Sequence, residues 1–248
     1  MSADRQGGVN AARRQFVGWG VAMAGATLAP GVMLFGLAHG RAPEAPASAS
    51  VRWGMLVDAT RCAPDCNACV VACAKEHGLP DGTRATDAQW IRKVELKDLR
   101  RGRTLAVPVM CQHCEQAPCV DVCPTGASFK RADGIVLVDR HTCIGCRYCM
   151  MACPYQARSF VHEPVIDPKP DVPRGKGCVE SCTLCVHRID RDQAPACVEA
   201  CAAAGHRALV FGDLNDPGSE IAKRVAGYAS APLRPELGLN PGVRYHGL

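Results

Sequence analysis

Aromatic residues are scarce in this chain: five Phe, four Tyr and three Trp among 248 residues. The apolar fraction is an ordinary 48 %, and the length allows one or two domains. Several catalytic signatures are missing. There is no G-x-x-x-x-G-K-[ST] loop to cradle nucleotide phosphates and no G-x-S-x-G elbow to present a serine nucleophile. Gly18, Gly20 and Gly25 lack the spacing of a dinucleotide loop, and no strand precedes them. Pterin-binding length is absent as well. These gaps speak against chemistry of the chain's own and against a small-molecule substrate. Beyond residue 40 no apolar run could span a bilayer.

Cysteine, by contrast, is abundant. Sixteen of the 17 cysteines fall into four tetrads. The first is Cys62, Cys66, Cys69 and Cys73; the second is Cys111, Cys114, Cys119 and Cys123. The third is Cys143, Cys146, Cys149 and Cys153; the fourth is Cys182, Cys185, Cys197 and Cys201. The third tetrad, C-x2-C-x2-C-x3-C-P ending at Pro154, is the run of bacterial ferredoxins. Three thiolates on a tight loop can hold three corners of one cubane. The fourth, at a helix start, points away and ligates another cluster. Pro124 and Pro154 then turn the chain, since proline locks φ and has no N–H to donate.

Other uses of cysteine fit less well. Zinc sites of four cysteines use two separated C-x2-C pairs, not compact tetrads. Disulfide partners are rarely two residues apart in repeated tetrads. The C-x4-C-x2-C spacing of plant-type [2Fe–2S] proteins is absent. The tetrads therefore predict four [4Fe–4S] clusters. Crossing the fourth cysteines gives four sets. Cys111, Cys114 and Cys119 join Cys153, and Cys143, Cys146 and Cys149 join Cys123. Cys62, Cys66 and Cys69 join Cys201, and Cys182, Cys185 and Cys197 join Cys73. Cys178 is left over, either a spare thiol or an alternative ligand. His113, His141, His187, Arg147, Tyr148 and Arg188 lie beside cysteines and could tune them through hydrogen bonds to sulfur.

The net charge of +5 includes +2 from Arg5, Arg13 and Arg14 against Asp4, leaving +3 beyond residue 40. Four clusters at about −2 each would make that about −5, so nucleic acid is not an expected partner. Arg13-Arg14-Gln15-Phe16-Val17 opens an uncharged run to Ala38, the pattern of a twin-arginine export signal. Small residues near Ala38 and Ala45 offer processing sites. An uncleaved membrane anchor is the alternative. Export of a folded protein suits clusters that are assembled in the cytoplasm.

The pattern predicts an α+β fold of two dicluster-ferredoxin-like units, one inserted in the other, with small β-hairpins and short helices around the clusters. Residues 1–40 form the signal segment, 41–50 a Pro/Ala/Ser linker and 51–226 the cluster domain. The inner unit covers about 105–162, and the outer about 51–104 plus 178–226. Strands are expected at 51–59, 89–98, 103–109, near 158–162 and at 207–212, and a hairpin over 128–139. Helices are expected at 69–77, around tetrad four, and over 217–226 capped by Asp216. Residues 163–177 read as a Pro-rich loop and 227–248 as an irregular tail.

CTLCVHRIDRDQAPACVEAC (182–201) and ALVFGDLNDPGSE (208–220) give the chain a wider likeness. It resembles the four-cluster ferredoxin-like electron-transfer subunits of molybdopterin and NrfD-linked complexes over about residues 50–226. WGMLVDATRC, with three residues after Cys62, most resembles the DsrO type of the DsrMKJOP complexes. The resemblance implies a non-catalytic periplasmic electron relay. Its implied partners are an NrfD-type quinone-interacting membrane subunit and a multihaem cytochrome subunit. Two departures touch the outer tetrads: Ala63-Pro64-Asp65 widens the first gap, and Ala74 and Ala202 replace the prolines seen after Cys123 and Cys153.

Overall fold

The computed structural model describes residues 46–98 and 102–248. The twin-arginine segment and the first half of the linker lie outside them. Strand β1 (Trp53–Asp58) is central in a four-stranded sheet. On one side it pairs antiparallel with β8 (Leu209–Asp213); on the other it pairs parallel with β10 (Val243–His246). The two-residue β9 (Ser230–Ala231) closes the edge against β10. Met55, Leu56 and Val57 are all buried, without alternation, because both faces of β1 are covered. Met55 and Val57 enter the main core, which also contains most of the cysteines. Leu56 packs on the other face with Val210 and with Ile221 of the last helix.

Three antiparallel strand pairs and five short helices frame the cysteine loops. Helix α1 (Ala68–His77) ends at Gly78, which takes the left-handed conformation of a C-terminal stop (φ 61°). Strands β2 (Ile91–Asp98) and β3 (Arg103–Met110) form the longest hairpin. The expected border between outer and inner stretches, at 104/105, falls inside this hairpin, so the two stretches share an element. Helix α2 (Pro118–Asp121) and the hairpin β4 (Ser128–Lys130)–β5 (Val136–Val138) follow. Next come α3 (Tyr148–Ala152), β6 (Arg158–Phe160) and β7 (Val179–Ser181), then α4 (Val186–Ile189) and α5 (Ala196–Ala203). Strand β7, absent from the sequence expectation, pairs antiparallel with β6 across the Pro-rich loop.

Two expectations need correction, and a third stretch, a loop as expected, proves to be tethered. The last helix, α6, spans Glu220–Gly227, and its cap is Ser219, whose Oγ accepts the Ala222 N–H at 3.2 Å. Asp216 instead accepts the Gly218 N–H in the preceding turn. The stretch 227–248 is not irregular. It holds β9, a 3-10 turn at Pro235–Leu237 and β10, which places Val243 and Tyr245 in the core. It also wraps over tetrad two: Gly242 N donates to Gln112 O at 2.9 Å, and Glu115 N to Asn240 O at 3.1 Å. Burial of two large apolar residues outweighs the weak local signal of Gly and Pro that made this stretch look unstructured. Finally, the Pro-rich loop is anchored. Arg174 forms a buried two-pronged pair with Glu180 of β7, Nη2–Oε1 2.7 Å and Nε–Oε2 3.0 Å. Its Nη1 also donates to Gly78 O at 2.6 Å.

Candidate metal centre

Each cysteine loop is built by local geometry. Gly145, between Cys143 and Cys146, has φ 71°, and a Cβ there would strike the Gly177 carbonyl oxygen, so only glycine fits. Arg147 (φ 64°) and Cys185 (φ 54°) take left-handed conformations immediately before α3 and α4. Lys93, on β2, clasps the widened loop of tetrad one by donating to the carbonyls of Ala63, Pro64 and Cys66.

The fold brings cysteines of different tetrads together. Cys62, Cys66, Cys69 and Cys201 line one small enclosed space. Burial pushes the Cys69 thiol up to about 11, and the nearby Cys62 and Cys201 add to the rise. Burial likewise raises Cys73 strongly, and Cys182, Cys197 and Cys185 add to the rise. Cys114 is pushed up to about 12 by burial and then by Cys111, Cys119 and Cys153. Cys149 is raised by burial and, beyond two effects of Arg158 that lower it, by Cys143 and Cys123. Cys146 lies exposed on the loop between Cys143 and Cys149. The sets also adjoin one another. Cys69 lies within electrostatic reach of Cys73, Cys182 of Cys111, and Cys119 of Cys149.

Backbone amides point at the sulfurs. Ser128 N donates to Cys123 Sγ at 3.3 Å, Ala157 N to Cys153 at 3.5 Å and Ala208 N to Cys201 at 3.2 Å. These three are the last cysteines of their tetrads, each met by an amide a few residues downstream. Leu184 N and Val179 N approach Cys182 and Cys143 in the same way. Burial pushes Cys123 up, but the Ser128, Thr125 and Ala127 hydrogen bonds outweigh it and hold the thiol below its ordinary value.

Two buried residues that contact sulfur were not singled out from sequence. His77 Nε2 lies 3.3 Å from Cys185 Sγ, its ring tilted against Trp90. Arg158 Nη2 donates to Cys119 Sγ at 3.1 Å. Each follows the last cysteine of a tetrad by four or five residues, a spacing that could have flagged them. The six expected neighbours behave differently. His113 accepts the Val136 N–H at Nδ1, 3.0 Å, and burial followed by Arg158 lowers it to about 3. His187 and Arg188 bind Glu76, tying α4 to α1. Arg147 covers the Phe160 ring, Tyr148 is exposed, and the exposed His141 donates its amide N–H to Asp139. Cys178 donates to Arg140 O at 3.3 Å and lies beside Cys143.

An iron–sulfur group fits these surroundings. The donors are thiols, their burial is unfavourable for bare thiolates, and a metal core offsets that. Buried donors on Arg158 (Nε, Nη1) and His113 (Nε2) have no protein partner among the described residues, as expected beside an anionic sulfur-rich group. Among the described residues no three His, Cys, Asp or Glu close on a point small enough for a single metal ion.

Comparison with known proteins agrees. Residues 103–214 match the 4Fe–4S dicluster domain. One of the subunits of the tetrathionate reductase of Salmonella typhimurium is 39 % identical over 251 residues, covering 97 % of this chain and 91 % of that protein. Hdr-like menaquinol oxidoreductase iron–sulfur subunit 1 of Archaeoglobus fulgidus is 45 % identical over 225 residues, 78 % of this chain and 82 % of that one. Protein NrfC of Escherichia coli K12 is 39 % identical over 194 residues, 77 % and 78 %. With cysteine sets of this kind and relatives of this extent, the chain belongs to the 4Fe–4S dicluster iron–sulfur subunits of oxidoreductase complexes and holds multiple [4Fe–4S] clusters.

Proposed function

We propose that this chain relays single electrons through four [4Fe–4S] clusters, one in each crossed cysteine set, within a membrane-associated redox complex. The observation that carries this reading is the succession of sets. The set of Cys62, Cys66, Cys69 and Cys201 adjoins that of Cys73, Cys182, Cys185 and Cys197. The latter adjoins Cys111, Cys114, Cys119 and Cys153, which adjoins Cys123, Cys143, Cys146 and Cys149. Each bound cluster supplies a reversible one-electron couple. The protein's part is to hold the sets in order, exclude water from the middle two, and aim amide, guanidinium and imidazole donors at the sulfurs. Under this reading the chain has no substrate of its own, and the two inner tetrads form a dicluster unit nested within the outer pair.

Both ends of the succession reach the surface, as a relay requires. At one end Cys62 and Cys66 are half-buried. At the other Cys146 is exposed, beside exposed Ile144, Tyr148 and Met151. No helix among the described residues is long and apolar enough to cross a membrane, so exchange with a quinone pool goes through a partner. We place the chain in the periplasm, exported through Arg13-Arg14, against an NrfD-type membrane subunit and a multihaem cytochrome subunit of a DsrO-type complex. The menaquinol oxidoreductase named for one relative and the NrfC likeness favour this. Near full-length similarity to a component of a tetrathionate reductase favours a second reading, the same relay serving a reductase. Solubilised membranes of the native host, probed with an antibody to this chain, should yield it with an integral partner. Quinol should then reduce its clusters only while that partner is present. Recovery of the chain alone, reduced equally well by itself, would refute membrane coupling.

A further inference from the structure

Arg158 stands between two cysteine sets. It opens β6, where its backbone pairs with Ser181 of β7, and it is only 5 % exposed. Its Nη2 donates to Cys119 Sγ at 3.1 Å. Cys111 and Cys149 also lie within its electrostatic reach. Cys119 and Cys149 belong to different sets. No carboxylate is paired with this guanidinium among the described residues, and its Nε and Nη1 are buried without a protein partner. A buried, unpaired guanidinium is strongly unfavourable, and arginine does not escape by losing its proton. Chains keep such a group where a fixed negative charge faces it. In the outer two sets His77 Nε2 lies 3.3 Å from Cys185 Sγ, and Lys93, which donates to the loop carbonyls of Ala63, Pro64 and Cys66, also reaches Cys62.

We propose that Arg158 is a positioning residue shared by two clusters, those of Cys111, Cys114, Cys119 and Cys153 and of Cys123, Cys143, Cys146 and Cys149, and that its fixed positive charge between them raises the reduction potential of both. The inference rests on the four-cluster reading above. A cation near a cluster favours the more negative, reduced state, and hydrogen bonds to thiolate sulfur act in the same direction. One residue therefore makes both clusters of the inner pair easier to reduce.

The test is a potentiometric titration of the full-length protein, followed by electron paramagnetic resonance under anaerobic conditions. Arg158→Met removes the charge while keeping an apolar stem; Arg158→Lys keeps the charge and loses the fork. Arg158→Met should lower the midpoint potentials of two clusters and leave the other two unmoved, and Arg158→Lys should stay near wild type. Equal shifts in all four clusters, no shift in any, or the same shift in both variants would overturn the proposal. If Arg158→Met loses iron, the lysine variant decides: four clusters at near-wild-type potentials support the charge, and loss of the same clusters makes the role structural and refutes it. Wild-type protein with fewer than four clusters would instead overturn the four-cluster reading, so the two failures are distinguishable.

Discussion

Replacing Glu180 by alanine is expected to destabilise the protein more than any single surface change. In the wild type the Glu180 carboxylate is fully buried and accepts two hydrogen bonds from the Arg174 side chain, 2.7 and 3.0 Å. Arg140 also faces it: burial lowers the Arg140 guanidinium, Glu180 offsets that, and Arg174 adds to it. Alanine would leave two guanidiniums confronting each other without their carboxylate. Breaking one partner out of a buried ion pair costs about 3–5 kcal/mol. For a domain of this size about 1 kcal/mol moves the midpoint by roughly 2–4 °C, so a fall of about 6–20 °C follows. The loop held by Arg174 should loosen with it, since Nη1 also holds the Gly78 carbonyl that ends α1. The assay is loss of visible cluster absorption and of circular dichroism on heating under argon, at one scan rate for all variants. The double change Arg174→Met with Glu180→Leu should recover most of the loss, because a buried pair replaced by apolar residues of similar size is often neutral. A Glu180→Ala midpoint within about 2 °C of wild type would refute the reasoning.

Gly145→Ala combines left-handed strain with a clash against the Gly177 carbonyl. It should cost about four iron per chain by displacing the Cys143 loop, as measured by iron assay. Truncation after Gly238 removes β10, and with it the buried Val243 and Tyr245. The truncated chain should fail to accumulate with cluster absorption, which a solubility assay with a visible spectrum checks. Changing Arg13 and Arg14 to lysine should strand folded protein in the cytoplasm, visible on fractionation, since the export route reads the arginine pair.

The cysteine tetrads and the elements next to them were legible because ligand spacing and turn signals are local constraints. Helix α1, which carries Cys69 and Cys73, the β2–β3 and β4–β5 hairpins and β8 all occur near the expected positions. What failed to show had its cause in distant partners. Strand β7 is three residues long and exists because β6 pairs with it. Strand β10 gains its place from β1, nearly two hundred residues earlier, and no local pattern announces that pairing. The cap of α6 was misread because Asp216 and Ser219 both suit an N-terminus, and only the turn geometry separates them. At the site, neighbours in sequence proved poor guides to neighbours of sulfur. His187 faces Glu76, whereas His77, 108 residues away from Cys185, meets its sulfur. Arg158 carries a local mark, five residues after Cys153, but which sulfur it meets depends on where β6 carries it.

Anomalous diffraction at the iron edge from crystals grown anaerobically tests the central claim most directly. The account predicts four iron–sulfur peaks per chain, with Cys201 Sγ on the peak held by Cys62, Cys66 and Cys69, and Cys123 Sγ on the one held by Cys143, Cys146 and Cys149. Peaks each held by the four cysteines of a single tetrad, or fewer than four peaks, would contradict it.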